Sequence, residues 1–559
     1  MNNLTVIDFF CGAGGFSEGF KQQGFKVIHG VDNWKPAIDT FNYNFGLSSA
    51  TQDIIEFGQN LELIEKLPNT DIIIGSPPCV SFSNSNTSGN ANKTLGINLI
   101  EIYLKIIAVK KHQPNSKLKA WFMENVINSI KHTKDKYTFK DLDLVDWAKD
   151  NKINPRRIAI NLKDNYEIIN SADYGVPQIR KRLFAGEIIN KNKFPQLKKT
   201  HGDKHITVKN IFRYFPSPFK NQKRITDPNY KHIKLNNNLL TDYDYDSGIY
   251  KSHWDYSKWS KVNHPYMGKM SFPENKNNPS RTITATKLDN SREALIYDSE
   301  IKRQGNGQYR TPTIREIAVL MSFPITYQFL GSEGIKWRLV GNAVCPLVSN
   351  AIAKATLKAF DKTPIETALI ETKPNLKGVN NLNSKQQKIF DKPPKFKKGK
   401  RFRRHPFKDG NMTVALSNYC LKENPRVADN RWRTTITYGT GINYKIQEFS
   451  VIQQKKIHQF ILDNFDDGLE FINKIHNGFS GKIAKSKELQ DMYEKNYSNG
   501  KAHPVELIEM TKRIVEEYAN GEVVKIEGIF KYKNNVHKKQ LYALYAINQI
   551  NKITNKRGE

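Results

Sequence analysis

The sequence predicts an α/β protein built on a doubly wound, mostly parallel sheet, with an inserted domain and an additional mixed α+β C-terminal domain. Three observations predict this. Short apolar runs alternate with helical stretches from Leu4 to about Ile189, the pattern of parallel strands covered by helices. The first run ends in a glycine-rich turn that opens a helix, as the leading connection of such a sheet does. After Asn190 the composition turns polar and rich in Tyr, Lys, Asn and Pro, which marks an insertion.

Taken in order, Leu4 to Phe9 reads as a strand, followed by a helix from about Phe16 to Gly24. Further buried strands are expected at Lys26 to Val31, Asp71 to Gly75, Trp121 to Glu124, Tyr166 to Asn170 and Leu183 to Ile189. The insertion runs to about Pro279, with Tyr214, Trp254, Trp259 and Tyr266 interleaved among basic residues. Helical patterns resume at Thr313 to Pro324 and at Leu347 to Phe360. The expected organisation is therefore a first domain over 1–190, an insertion over 191–280, a return to the first domain over 281–360, a basic linker over 361–410 and a last domain over 411–559. The linker contains Lys395-Phe-Lys-Lys-Gly-Lys-Arg-Phe-Arg-Arg404, whose cations could neutralise phosphates. The last domain has strands early and amphipathic helices later, such as Val505 to Glu517, and carries no chemical motif of its own.

The chain has 559 residues with 87 Lys and Arg against 55 Asp and Glu, a formal charge of +32. Such a surface attracts polyanions, nucleic acid foremost. No stretch approaches the roughly 18 apolar residues of a membrane span, and the start Met1-Asn2-Asn3-Leu4 shows no export signal, so the expected location is the cytoplasm. Four cysteines lie scattered at 11, 79, 345 and 420 without the spacing of a metal site or disulfide framework. No metal is expected, and any special cysteine should be a chemical one.

Four constellations carry chemistry. In Asp8-Phe-Phe-Cys-Gly-Ala-Gly-Gly-Phe16, glycines let the backbone approach a ligand and the helix start offers free amides. Ser17 stands where a dinucleotide fingerprint has its third glycine. Asp32, about twenty residues on, ends the next strand where an acid can accept from ribose hydroxyls. Dehydrogenase and methyltransferase both remain open at this step. The second, Gly75-Ser-Pro-Pro-Cys-Val-Ser-Phe-Ser83, separates them: it follows a strand, and paired prolines fix the backbone of Cys79 as a nucleophile requires. Asn84 to Asn98, rich in Ser, Asn and Gly, reads as a lid. The third, Phe122-Met-Glu-Asn-Val126, ends an apolar strand in Glu124, whose burial would raise its pKa and let it donate to a ring nitrogen. The fourth, Gln178-Ile-Arg-Lys-Arg182, puts Arg180 and Arg182 on one side of a strand, suited to phosphate or a substrate carbonyl.

In this order the four resemble the cytosine-5 DNA methyltransferase family of bacterial restriction–modification type over about residues 1–360. The resemblance implies the methyltransferase version of the doubly wound fold, with S-adenosylmethionine as cofactor and double-stranded DNA as partner. Phe10, Gly12 and Gly14 resemble its cofactor loop, and Asp53, after Gln52, the acid at the adenine. Asn342 and Val344, within Gly341-Asn-Ala-Val344, resemble the late motif that returns to the cofactor. Cys79 resembles its nucleophile, Glu124 its activating acid, and Gln178, Arg180 and Arg182 its substrate clamp, with Ser81 and Ser83 near the substrate backbone. The helix with Arg315 and Glu316 resembles the motif supporting the recognition domain. Val80 replaces a frequent glutamine, and Trp34 lies one place later than the usual aromatic. The resemblance implies a flipped base, a covalent Cys79 adduct, a monomer on DNA and room for a cognate restriction endonuclease. The rival readings are a transfer-RNA methylating member and a bifunctional chain whose C-terminal part is a nuclease or DNA-binding module.

Overall fold

Runs rich in β-branched and aromatic residues build the central strands: β1 (Thr5–Phe9), β2 (Lys26–Val31), β3 (Ile72–Gly75), β4 (Ala120–Asn125), β5 (Tyr166–Asn170) and β6 (Lys181–Ile188). The computed structural model describes residues 3–78, 93–215, 223–263, 268–384, 403–410, 412–419, 428–439, 445–449, 451–479, 481–494, 500–519 and 521–555. It divides the chain into two units, 1–388 without 250–255, and 389–559 with 250–255.

In the first unit the strands pair in the order β2-β1-β3-β4-β6-β5. The pairs β1–β2, β1–β3 and β3–β4 are parallel, and β4–β6 and β5–β6 are antiparallel. Alternate side chains feed two cores: Val6, Ile72, Ile74 and Phe122 on one face, Ile7, Phe9, Ile73, Trp121 and Met123 on the other. All six residues of β4 are buried, as a strand covered on both faces must be. β2 and β3 flank β1 on opposite sides, so β1 is the switch point of the winding, where ligands of such sheets bind. The register then matters for function. Phe9 pairs with Gly75, Gly75 with Met123, Glu124 with Phe184 and Ile169 with Arg182. Because β6 is antiparallel, its beginning lies beside the carboxyl ends of β1, β3 and β4.

Helix α1 (Gly15–Lys21) follows the glycine turn and packs on α2 (Pro346–Ala359). The approach is close: a Cβ at Gly19 would lie 2.4 Å from the Asn350 nitrogen. The insertion rests on α3 (Ile314–Leu320), where the buried Arg315 donates from Nε to the Thr241 carbonyl at 3.1 Å and from Nη2 to the Thr241 hydroxyl at 2.6 Å. Residues 361–384, expected as linker, instead follow the first unit. Leu369 N donates to Gln22 O at 3.0 Å, Tyr43 donates its hydroxyl to Asn375 O at 2.7 Å, and Leu382 is buried. Polar composition hid this segment because backbone groups, more than apolar side chains, attach it. The tract from Lys395 to Phe402 lies outside the described residues.

The second unit has an antiparallel sheet of β7 (Arg404–Asp409), β8 (Met412–Tyr419), β9 (Ala428–Tyr438) and β10 (Lys445–Glu448), paired in that order. Helices follow, ending with Lys538–Thr554, whose Tyr542 stacks on Phe471 with centroids 3.9 Å apart. No helix among the described residues is long and apolar enough to cross a membrane.

In the first unit, Lys336 Nζ lies 2.7 Å from both oxygens of Asp242, with neither side chain exposed. Asp242→Ala leaves a buried ammonium without its counter-charge and should remove about 3–5 kcal/mol of stability. Urea unfolding checks this, and a change below about 1 kcal/mol, the scale of an exposed pair, contradicts it.

Candidate active site and cofactor turn

The turn after β1 is held open by its backbone. Phe10, Gly12 and Gly14 have φ of 53°, 54° and 85°, the left-handed region that glycine enters freely and phenylalanine does not. Asp32 organises the surroundings: its Oδ2 accepts from Gly12 N at 3.0 Å and its Oδ1 from Trp34 N at 2.9 Å. Its carbonyl accepts from Gln52 N at 3.0 Å, which brings Asp53 alongside. Asp53 caps the next short helix through Ile55 N at 3.0 Å and accepts from Asn33 Nδ2 at 3.1 Å. Burial raises the Asp32 pKa against the two backbone donors, and the Arg338 charge also works against it. The Arg338 guanidinium lies 4.4 Å from the centre of the Trp34 ring.

The late motif arrives at the same place. Asn342 ends the helix Glu333–Asn342 and is exposed, whereas Val344 is buried with its carbonyl only 2.2 Å from where a Cβ would stand on Gly15. A Cβ on Gly12 would meet nothing nearer than Phe10 O at 4.0 Å, so that side of the turn is open. An open turn bordered by two carboxylates and an indole fits a nucleoside cofactor with a ribose diol. Residues Phe10, Gly12, Gly14, Asp32, Asp53, Asn342 and Val344 stand around this region.

One buried acid here escaped the sequence reading. Asp8, on β1, has no exposure; Ser17 Oγ donates to its Oδ2 at 2.7 Å, while Oδ1 has no hydrogen-bond partner among the described residues. Burial pushes its pKa from 3.8 to about 8. The signal was present, because Ser17 replaces the third glycine and a serine there can donate to the strand before it.

At the neighbouring strand ends, Glu124 is buried and its Oε1 lies 3.2 Å from Arg182 Nε. Burial raises the Glu124 pKa, opposed by Arg182 and then Arg180. Arg180 precedes β6 by one residue, is buried, and donates from Nη1 to Ile283 O at 3.3 Å. Next to Glu124, Asn125 donates from Nδ2 to Pro77 O at 3.2 Å, tying the strand end to the loop that leads to Cys79. Cys79, Ser81 and Ser83 lie outside the described residues, as does most of the Asn84 to Asn98 stretch, of which Lys93 onward is helical. Gln178, expected near the substrate, lies in the segment just before β6. It is fully buried, with its Oε1 accepting from Ile283 N at 3.1 Å and its Nε2 facing Leu320 O at 3.4 Å. Its Nε2 lies nearer to Met321 Sδ, at 2.9 Å, so both ends of the amide are engaged within the protein and Gln178 braces the segment before β6.

A family model for C-5 cytosine-specific DNA methylase matches residues 4–358. The chain belongs to this family. The methylase is an enzyme that methylates DNA. It is similar to type II methyltransferases: 28% identical over 370 residues to M1.HphI of Haemophilus parahaemolyticus, covering 64% of this chain and 87% of that one. It is 27% identical over 368 residues to M.HgiDI of Herpetosiphon aurantiacus, covering 65% and 96%. M.HgiGI of the same organism is 40% identical over 125 residues, 22% of this chain and 90% of its own. The family match ends at residue 358, before the C-terminal unit of the methylase.

The buried Asp8 gives the methylase a pH signature. Its folded pKa of about 8 lies above the ordinary 3.8, so the folded chain holds the extra proton between these values, and this residue lowers stability as pH rises through that window. Asp8→Asn keeps an acceptor for Ser17 and removes the titration. The variant should gain on wild type from about pH 4 to pH 8, read as the difference in Tm. A pH-independent difference contradicts the assignment.

Proposed function

We propose that the methylase transfers a methyl group from S-adenosylmethionine to carbon 5 of cytosine at a specific duplex DNA sequence, through a covalent adduct of Cys79. The observation that carries this reading is a buried carboxyl of raised pKa, Glu124, beside Arg182 and one residue from the bond that ties its strand to the Pro77 loop.

Cytosine carbon 5 is a poor nucleophile until the ring's aromaticity is broken. The Cys79 thiolate adds to carbon 6, and the Glu124 carboxyl hydrogen-bonds the ring nitrogen and stabilises the electrons moved onto the ring. Carbon 5 then has enamine character. S-adenosylmethionine, when bound, supplies an electrophilic methyl group. Loss of the carbon 5 proton restores the ring and expels Cys79. A carboxyl with raised pKa keeps its proton at neutral pH more of the time, which is what donation to that nitrogen needs. Arg182 orients this carboxyl and reaches the base, with Arg180 adding charge behind it. The Phe10–Gly14 turn, Asp32, Asp53, Asn342 and Val344 would hold the cofactor, and Ser81 and Ser83 would touch the substrate backbone. The target lies inside a duplex, so it is flipped out at a cost of a few kcal/mol. Residues 191–280 read the target sequence. Its similarity to type II methyltransferases supports a restriction–modification setting, and a reduced Cys79 suits the cytoplasm.

Methyl incorporation into duplex DNA tests this. Cys79→Ser should bind DNA and cofactor yet lose transfer, and Glu124→Gln should lower kcat by about 10²–10⁴-fold. Full activity in either variant, or methylation of transfer RNA in preference to DNA, overturns the reading.

A further inference from the structure

We propose that Tyr327 is a positioning residue for the cofactor turn, holding it in shape for S-adenosylmethionine through the hydrogen bond its hydroxyl donates to the Ala13 carbonyl. This rests on the reading that the turn binds that cofactor. Ala13 lies between the two left-handed glycines, and its carbonyl takes the Tyr327 hydroxyl in a buried place. The fit is tight on both sides: a Cβ on Gly14 would stand 2.8 Å from that hydroxyl.

The tyrosine itself is fixed from several directions. Its ring packs at 4.9 Å from Phe323 and 5.5 Å from Phe329, between centroids. Its carbonyl accepts from Arg315 Nη1 at 2.7 Å, the arginine whose other nitrogens hold Thr241. Ile325 N, two residues earlier, donates to Asp227 Oδ2 at 2.7 Å. Three residues in the left-handed region make a turn that relaxes unless its surroundings over-determine it, and the only hydroxyl donated to the turn's own Ala13 carbonyl among the described residues is this one. Burial pushes the Tyr327 pKa up, so it stays a donor at all working pH.

Tyr327→Phe removes one oxygen and keeps the ring. Without a buried hydrogen bond that serves the turn, S-adenosylmethionine binding should weaken by about three- to tenfold, measured by calorimetry on the full chain. KM for the cofactor should rise similarly with kcat within twofold, and affinity for duplex DNA should not change. Equal cofactor affinity in the two chains overturns the proposal, including the case where Tm alone falls, which is the result of a merely structural tyrosine. A wild-type chain that binds no S-adenosylmethionine overturns it differently, by removing the reading it rests on.

A different observation supports a second inference, on the C-terminal unit. Tyr532 is 41% exposed, stands edge-on to Tyr438 at 5.3 Å, and carries Lys445 Nζ at 5.0 Å and Lys531 Nζ at 5.5 Å from its ring centre. Lys533 is exposed beside it. Among the described residues neither Lys445 nor Lys531 has an ion pair, while Glu448, which lines the same cavity as Lys531, pairs with Arg433. We infer that this patch docks the phosphate backbone of duplex DNA, a polyanion that supplies the missing counter-charge. The triple variant Lys445→Gln, Lys531→Gln, Lys533→Gln in the full chain should lower duplex affinity and flatten the plot of log affinity against log salt by about 0.9 for each phosphate the variant no longer neutralises. An unchanged slope, or a loss confined to transfer RNA, overturns the inference.

Discussion

Glu124 is a carboxyl kept from water at the end of a strand buried on both faces, with Arg182 as its ionic partner. Two opposite pressures act on it. Removal from water favours the protonated acid, and the guanidinium favours the carboxylate. Burial prevails and raises the pKa, with Arg182 and Arg180 limiting the rise. This balance depends on the sheet. Only because β6 runs antiparallel to β4 do the arginines at its start meet the carboxyl end of β4.

The cofactor side obeys a related constraint, with backbone in place of charge. A left-handed turn stays formed where other groups take up its amides and carbonyls. Asp32 takes the Gly12 amide and Tyr327 binds the Ala13 carbonyl. Both supports come from outside the turn, and Arg315 carries the second one back to Thr241 in the insertion. The regions flanking and including the insertion are thus mechanically continuous with the cofactor turn, although they lie far apart in sequence.

Much of this was legible in the residues. The inner strands β1, β3 and β4 announced themselves as mainly apolar runs, since strands covered on both faces carry few polar residues, and the edge strand β5 by its Tyr and Ile residues. The glycine turn, Asp32 and Glu124 were legible because each ends such a run. Strand direction was not, because an apolar run reads the same in either orientation, and the antiparallel pairing of β6 is a tertiary fact. The surroundings of Gln178 were hidden for a similar reason. Alternation put it on the side of Arg180 and Arg182, but it precedes the strand, where the chain turns inward against Leu320 and Ile283. Tyr327 gave no signal, being one aromatic in an apolar stretch. Residues 361–384 read as linker because their attachments are mostly amide and carbonyl groups, to which composition is blind.

The most direct measurement of the chemistry uses duplex DNA in which cytosine is replaced by 5-fluorocytosine, incubated with the full chain and S-adenosylmethionine, then digested for mass spectrometry. Fluorine on carbon 5 cannot leave as a proton does, so the ring cannot be restored and the sulfur cannot be expelled. The expected result is a nucleotide covalently joined to the peptide that carries Cys79, and far less of it in Glu124→Gln. Complete absence of a joined peptide, or attachment through any other residue, would contradict a reaction in which the position-79 sulfur bonds the base while Glu124 holds it.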